Sequence, residues 1–150
     1  MNKRFPFLVR LALGLLFIFS GGQKLLAPTE EFLAVVETYE LLPYFLNRIV
    51  AVLVPWVEFL LGGLLLIGLH TLIAAKGLFI LLLSILLTLG QAMLRQLPIE
   101  ECGCFGGGLS LPIQTVFLLD LFLLACLFWV IRHSKAASCY SLDTSTIISK

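Results

Sequence analysis

Charge is scarce in this sequence. Charged residues make up 13% of its 150 positions, ten basic and nine acidic, where an ordinary soluble domain carries about 25%. The net charge is +1 and no run of Lys or Arg occurs, which excludes a surface built to neutralise nucleic-acid phosphates. Histidine and cysteine are also rare, with two and four copies. No C-x-x-C-H haem signature is present, and the glycines at 106–108 are not followed by Gly-Lys-Ser/Thr, so they are no phosphate loop. What fills the chain instead is 60% hydrophobic residues, with a mean hydropathy of +1.07. A domain of about 150 residues still leaves roughly a third of its surface exposed, so this much Leu, Ile, Val and Phe requires a lipid bilayer as solvent.

Four apolar stretches, at about 6–26, 48–69, 72–94 and 113–132, each approach the roughly 20 residues that a helix needs to cross hydrocarbon. Their continuous Leu-rich character lacks the alternation of a barrel strand. The expected fold is an all-α, four-helix transmembrane bundle. The first stretch has the basic start and small residues of a signal peptide, but it continues through Leu25 and Leu26 without an A-x-A site, so it is read as retained.

Basic residues set the expected orientation. Lys3, Arg4, Arg10, Lys76, Arg132 and Lys135 fall on one side if the spans alternate, and that side is cytoplasmic by the positive-inside rule. Both termini then face the cytoplasm. The two longer loops face outward, into the periplasm in a bacterium. In the first, residues 27–47, Phe32, Val35, Val36, Tyr39 and Leu42 recur at helical spacing and predict a short amphipathic helix stopped at Pro43. It serves either as a packed connector or as a cover over an outward-facing site.

The second outer loop carries Glu100-Glu101-Cys102-Gly103-Cys104-Phe105-Gly106-Gly107-Gly108. Two cysteines one residue apart on an oxidising face point to dithiol/disulfide chemistry. A Cys102–Cys104 bond would close a very small ring, and strained disulfides are the readily reduced ones. A purely structural clip, or a bond to another protein, is the competing reading. Zinc is not expected, because Cys126 lies in the fourth span and Cys139, His70 and His133 fall on the cytoplasmic side, so no four-ligand metal site assembles.

The intramembrane polar residues favour the redox reading by position. Glu58 lies about 15 Å from the outer end of the second span and Asp120 about 11 Å into the fourth, at 1.5 Å per residue. Gln23 and Lys24 end the first span on the same side, as Gln91 and Arg95 end the third. A carboxylate at such depth must be paired or protonated, which marks it as a functional candidate. Glu58 is a candidate proton carrier beside the thiols, with Asp120 in support. Lys24 and Arg95 either snorkel to the interface or favour a thiolate. Gln23 and Gln91 are candidates for interhelical hydrogen bonds, and the glycines at 21, 22, 62, 63 and 90 for close helix packing.

Four segments carry a resemblance to a known family: Phe19-Ser20-Gly21-Gly22-Gln23-Lys24-Leu25, Tyr39 to Pro43, Pro55-Trp56-Val57-Glu58 with Leu60-Leu61-Gly62, and above all Cys102-Gly103-Cys104-Phe105-Gly106. Over about residues 5–132 the chain resembles the methylamine-utilisation MauE family, within the wider DoxX-like membrane proteins. The polar tail, 133–150, lies outside the resemblance and reads as a flexible cytoplasmic end.

The resemblance implies a bacterial inner-membrane protein that supports maturation of a disulfide-rich extracytoplasmic protein with a thioredoxin-like partner. Cys102 and Cys104 match the family cysteines, and Glu58 the acidic position after the span-two proline. A quinone is the implied candidate for regenerating the pair. A non-catalytic anchor or assembly subunit of a DoxX-type quinone-linked complex is the alternative. A small transporter is less favoured, since the inner halves of the spans offer no polar route.

Overall fold

Three of the five helices start immediately after a proline, at Pro28, Pro43 and Pro112, each with an extended ψ. The proline ring keeps the preceding chain out of the helical region and so fixes where each helix begins. The computed structural model describes residues 4–41, 43–95 and 112–133. The Cys102-Gly103-Cys104 segment, Leu42 and the tail from Ser134 lie outside the described residues. The helices are α1 (Arg4–Leu26), α2 (Thr29–Thr38), α3 (Tyr44–Ile67), α4 (Thr71–Leu94) and α5 (Ile113–Arg132). All but α2 are long and apolar enough to cross a membrane, and no strand occurs among the described residues.

The four long helices close a ring in which α1 packs on α3, α3 on α4, α4 on α5 and α5 on α1, the α1–α3 contact being the most extensive and α5–α1 the least. Leu13, Phe17, Leu65, Leu78, Leu82, Leu123 and Leu127 fill its interior. Leu8, Leu15, Phe19, Ile80 and Phe122 are exposed on the outside, an apolar surface suited to lipid rather than water. The inside and outside of this bundle are both hydrophobic, so packing detail rather than hydrophobicity decides how the helices meet.

Glycine supplies that detail between α1 and α3. A Cβ at Gly21 would lie 2.8 Å from the Phe59 backbone nitrogen and 2.9 Å from the Pro55 carbonyl oxygen, and one at Gly62 would lie 2.9 Å from the Ile18 nitrogen. The two backbones are therefore in direct contact. Gly63 has nothing within 4 Å and Gly22 meets only the Phe59 ring at 4.0 Å, so of these neighbours only one in each pair serves the close approach. The α3–α4 turn closes with Gly68 at φ 78°, where the Gly68 and Leu69 N–H groups both donate to the Leu64 carbonyl, at 2.9 and 3.0 Å. This is the left-handed helix ending that glycine favours.

Two expectations need correction. The loop helix stops at Thr38 rather than running to Pro43, because Glu40 turns the chain at φ 48°. The next helix begins at Tyr44 instead of about 48, started by Pro43. Glu58 consequently lies fourteen residues after the start of α3, about 21 Å along it at 1.5 Å per residue, deeper than expected.

The Gly21 and Gly62 contacts also set the register: α1 runs out while α3 continues past it toward Tyr44. The gap left beyond Leu26 is covered by α2, which packs against α3 and α1. This end of the bundle, where α4 finishes and α5 begins, holds the candidate site.

Candidate functional site

Lys24, near the end of α1, points back along α3 and meets Glu58. Its Nζ lies 2.8 Å from Oε2 and 2.9 Å from Oε1 of the carboxylate. Both side chains are 3% exposed. Ser20, one turn before Lys24, donates its hydroxyl to Glu58 Oε2 at 3.3 Å. The Phe32 ring of α2 also lies against the ammonium, with Nζ 5.2 Å from its centroid, a cation–π contact that gains strength away from water. Here a deeply placed carboxylate finds the counter-charge that its position demands.

Asp120 approaches from α5. It is 5% exposed, and its Oδ2 has no hydrogen-bond partner among the described residues. With Ser20, Lys24, Glu58, Leu82 and Ile85 it lines a small cavity of about 30 Å³. That is room for at least one water, which needs roughly 10–15 Å³. Three helices thus contribute one ammonium and two carboxyl groups to a single enclosed point.

A larger cavity, about 290 Å³, lies against it beneath α2. Phe32, Val35, Val36 and Tyr39 of α2 form its cover, Asn47, Val50 and Val54 of α3 one wall, and Leu81, Ser84, Ile85, Thr88 and Leu89 of α4 the other. Lys24 and Ile85 line both cavities. The larger space is nearly all hydrocarbon, with Lys24, Tyr39, Asn47, Ser84 and Thr88 as its polar residues. Such a composition, and a volume near the lower end of the roughly 300–1,000 Å³ usual for small-molecule sites, suit an apolar ligand with a few hydrogen-bonding atoms.

Of the residues singled out from sequence, Lys24, Glu58 and Asp120 converge. Gln23 and Arg95 do not join them: both are exposed, and Gln91 is half-buried outside either cavity. Gln23 precedes Lys24 by one residue, about 100° around the helix, so the turn that buries one exposes the other. Cys102 and Cys104 lie outside the described residues. Cys126 of α5 is half-buried and forms no disulfide among the described residues.

Sequence reasoning passed over Ser20 as a site residue and Asn47 altogether, and placed Arg10 among the flanking basic residues. Arg10 is instead 1% exposed, its guanidinium 5.1 Å from the Phe7 ring centroid. The signal for Ser20 was its spacing, four residues before Lys24 on one helix face.

The comparison with protein families bears on this whole arrangement. A family described as "Methylamine utilisation protein MauE" matches residues 2–133. The chain belongs to the MauE family. The matched range takes in all five helices together with the Cys102-Gly103-Cys104 segment, and ends where the tail begins. Within the MauE family the chain is 33% identical over 119 residues to Methylamine utilization protein MauE of Paracoccus denitrificans, an alignment covering 79% of this chain and 63% of that relative. The chain thus spans less than two thirds of the relative's length. No solved structure matches it.

Proposed function

We propose that this MauE-family protein is a membrane thiol/disulfide redox protein supporting disulfide formation or maturation of an extracytoplasmic protein, in the setting of methylamine utilisation. The observation that carries the reading is positional. The Cys-Gly-Cys segment connects α4 to α5, and the buried Lys24–Glu58 ion pair stands with Asp120 near the middle of the bundle, with Lys24 reaching it from the end where α4 finishes and α5 begins.

In the proposed cycle a thiolate of the Cys102/Cys104 pair attacks the disulfide of a thioredoxin-like partner. A mixed disulfide forms, the second thiolate displaces the partner's sulfur, and two electrons pass to the partner. The reverse direction uses the same steps. Turnover then requires a second reaction that resets the pair: a two-electron, two-proton reductant (the quinol form of a carrier) in the direction written, and a two-electron oxidant (its quinone form) in the reverse direction, the one that forms disulfides in the partner.

A quinone fits the residues present as the resetting group. The larger cavity offers it apolar and aromatic walls from Val35, Phe32, Val54 and Leu89, with the Lys24 ammonium as a donor, while the Ser84 and Thr88 hydroxyls, which donate to the Leu81 and Ser84 carbonyls at 2.7 and 3.0 Å, present only oxygen lone pairs. When bound, a quinone supplies two-electron chemistry coupled to two protons. In this reading Glu58 fixes Lys24 at the wall between the two cavities, and α2 excludes water from above. The orientation proposed with it places both termini in the cytoplasm and the Cys-Gly-Cys loop on the periplasmic face of a bacterial inner membrane.

Trapping tests the reading. Cys104→Ser is expected to leave Cys102 in a mixed disulfide with an extracytoplasmic protein, seen as a reducible higher-mass band. If neither cysteine changes redox state in cells and the double variant Cys102→Ser, Cys104→Ser keeps full activity, the redox reading falls.

A further inference from the structure

The Lys24–Glu58 pair is complete in itself, one positive charge held bidentate by one negative charge. Asp120 is then a surplus carboxyl group. Its neighbours around the small cavity are Ser20 and Lys24 from α1, Glu58 from α3, and only Leu82 and Ile85 from α4, with Leu123 one turn along its own helix. Among the described residues no second cation lines that cavity. An ionised Asp120 would leave the enclosed cluster with a net negative charge inside a bundle surrounded by hydrocarbon, the most costly arrangement for such a group. A neutral carboxylic acid removes that cost. It also gives the unpartnered Oδ2 an O–H to donate, and the cavity of about 30 Å³ has room for a water to accept it.

We propose that Asp120, rather than Glu58, holds a transferable proton in the resting protein, and that the cavity water connects it to the Glu58 carboxylate. When the proton moves, Asp120 becomes the carboxylate and Glu58 the acid, while Lys24 remains an ammonium. The cluster has zero net charge before and after, so the transfer needs no counter-ion from outside. Because Lys24 and Ile85 line both cavities, the proton is held one side chain away from the larger apolar space. Its use in reducing a ligand there rests on the redox reading; its presence on Asp120 does not.

Infrared absorption of the full-length protein in lipid nanodiscs at neutral pH tests the assignment. The chain has two aspartates, Asp120 and Asp143. The wild-type protein is expected to show the carbonyl band of an un-ionised carboxylic acid that moves on carboxyl-13C labelling of aspartate and on transfer to heavy water. The band is expected to vanish in Asp120→Asn and to persist in Cys102→Ser, Cys104→Ser. Lys24→Met is expected to add a second acid band of similar intensity that responds to labelled glutamate, because Glu58 loses its counter-charge. No acid band in the wild type, or one unmoved by aspartate labelling, overturns the proposal, and the labelling arm holds even if Asp120→Asn fails to fold. A Lys24→Met protein without the second band overturns the assignment of Lys24 as the charge that keeps Glu58 ionised in the resting cluster.

Discussion

Lys24 on α1 and Glu58 on α3 form a bidentate ion pair, 2.8 and 2.9 Å between nitrogen and the two oxygens, with each side chain 3% exposed. At that burial neither group can turn to water if its partner is lost, and a buried charge left alone costs about 3–5 kcal/mol. Lys24→Met and Glu58→Gln should each destabilise the protein by an amount in that range, while the double variant should lose less than either single one. Unfolding in detergent micelles across this double-mutant cycle is the measurement. A double variant as unstable as the sum of the singles would mean that the two residues act apart.

The close approach of α1 and α3 is what aligns those two residues. Gly21→Ala would press a methyl group to within 2.8 Å of the Phe59 nitrogen and 2.9 Å of the Pro55 oxygen, neither of which can move without moving the α3 backbone. A cost of about 1–3 kcal/mol is expected, as for overpacked cores. Gly63→Ala, one residue beyond Gly62 but facing open space, should be neutral within about 0.5 kcal/mol. Thermal unfolding of the two variants side by side checks the contrast.

The apolar runs by themselves make the bundle legible, because in lipid a span must be continuous and helical. Glu58 is legible for the same reason: a carboxylate in such a run has to be answered. The partner that answers it is not. Lys24 sits two residues from the end of α1, where a snorkelling lysine is the ordinary outcome, and only the register set by Gly21 and Gly62 carries it opposite Glu58. Helical phase, equally, turns Gln23 outward and Ser20 inward. The burial of Arg10 is not legible because a basic residue near a helix start reads as a flank, whereas α1 already begins at Arg4. The cavity under α2 depends on where α1 stops relative to α3, a three-dimensional relation with no trace in periodicity.

The α3–α4 turn offers a test of local backbone geometry away from the site. Gly68 has φ 78°, a conformation that costs a residue with a Cβ about 1–2 kcal/mol. Gly68→Ala should lower the unfolding midpoint accordingly while leaving the Lys24–Glu58 end, and therefore any thiol exchange at Cys102 and Cys104, unchanged. Loss of exchange with no loss of stability would show that the two ends of the bundle are coupled.

Filling the larger cavity separates the two half-reactions of the proposed cycle. Val50 and Val54 line one wall of the space of about 290 Å³, and Val50→Trp would occupy much of it from the α3 side. In the proposed cycle the exchange between the cysteine pair and a partner disulfide needs no occupant in this space, so single-turnover exchange is expected to keep its wild-type rate. Resetting the pair from a lipophilic acceptor or donor does require the space, and steady turnover should drop at least about tenfold, equivalent to about 1.4 kcal/mol. Stopped-flow mixing for the first step and a quinone-analogue turnover assay for the second distinguish the effects. Equal loss of both rates would point to a disturbed fold, and undiminished turnover would remove the cavity from the cycle.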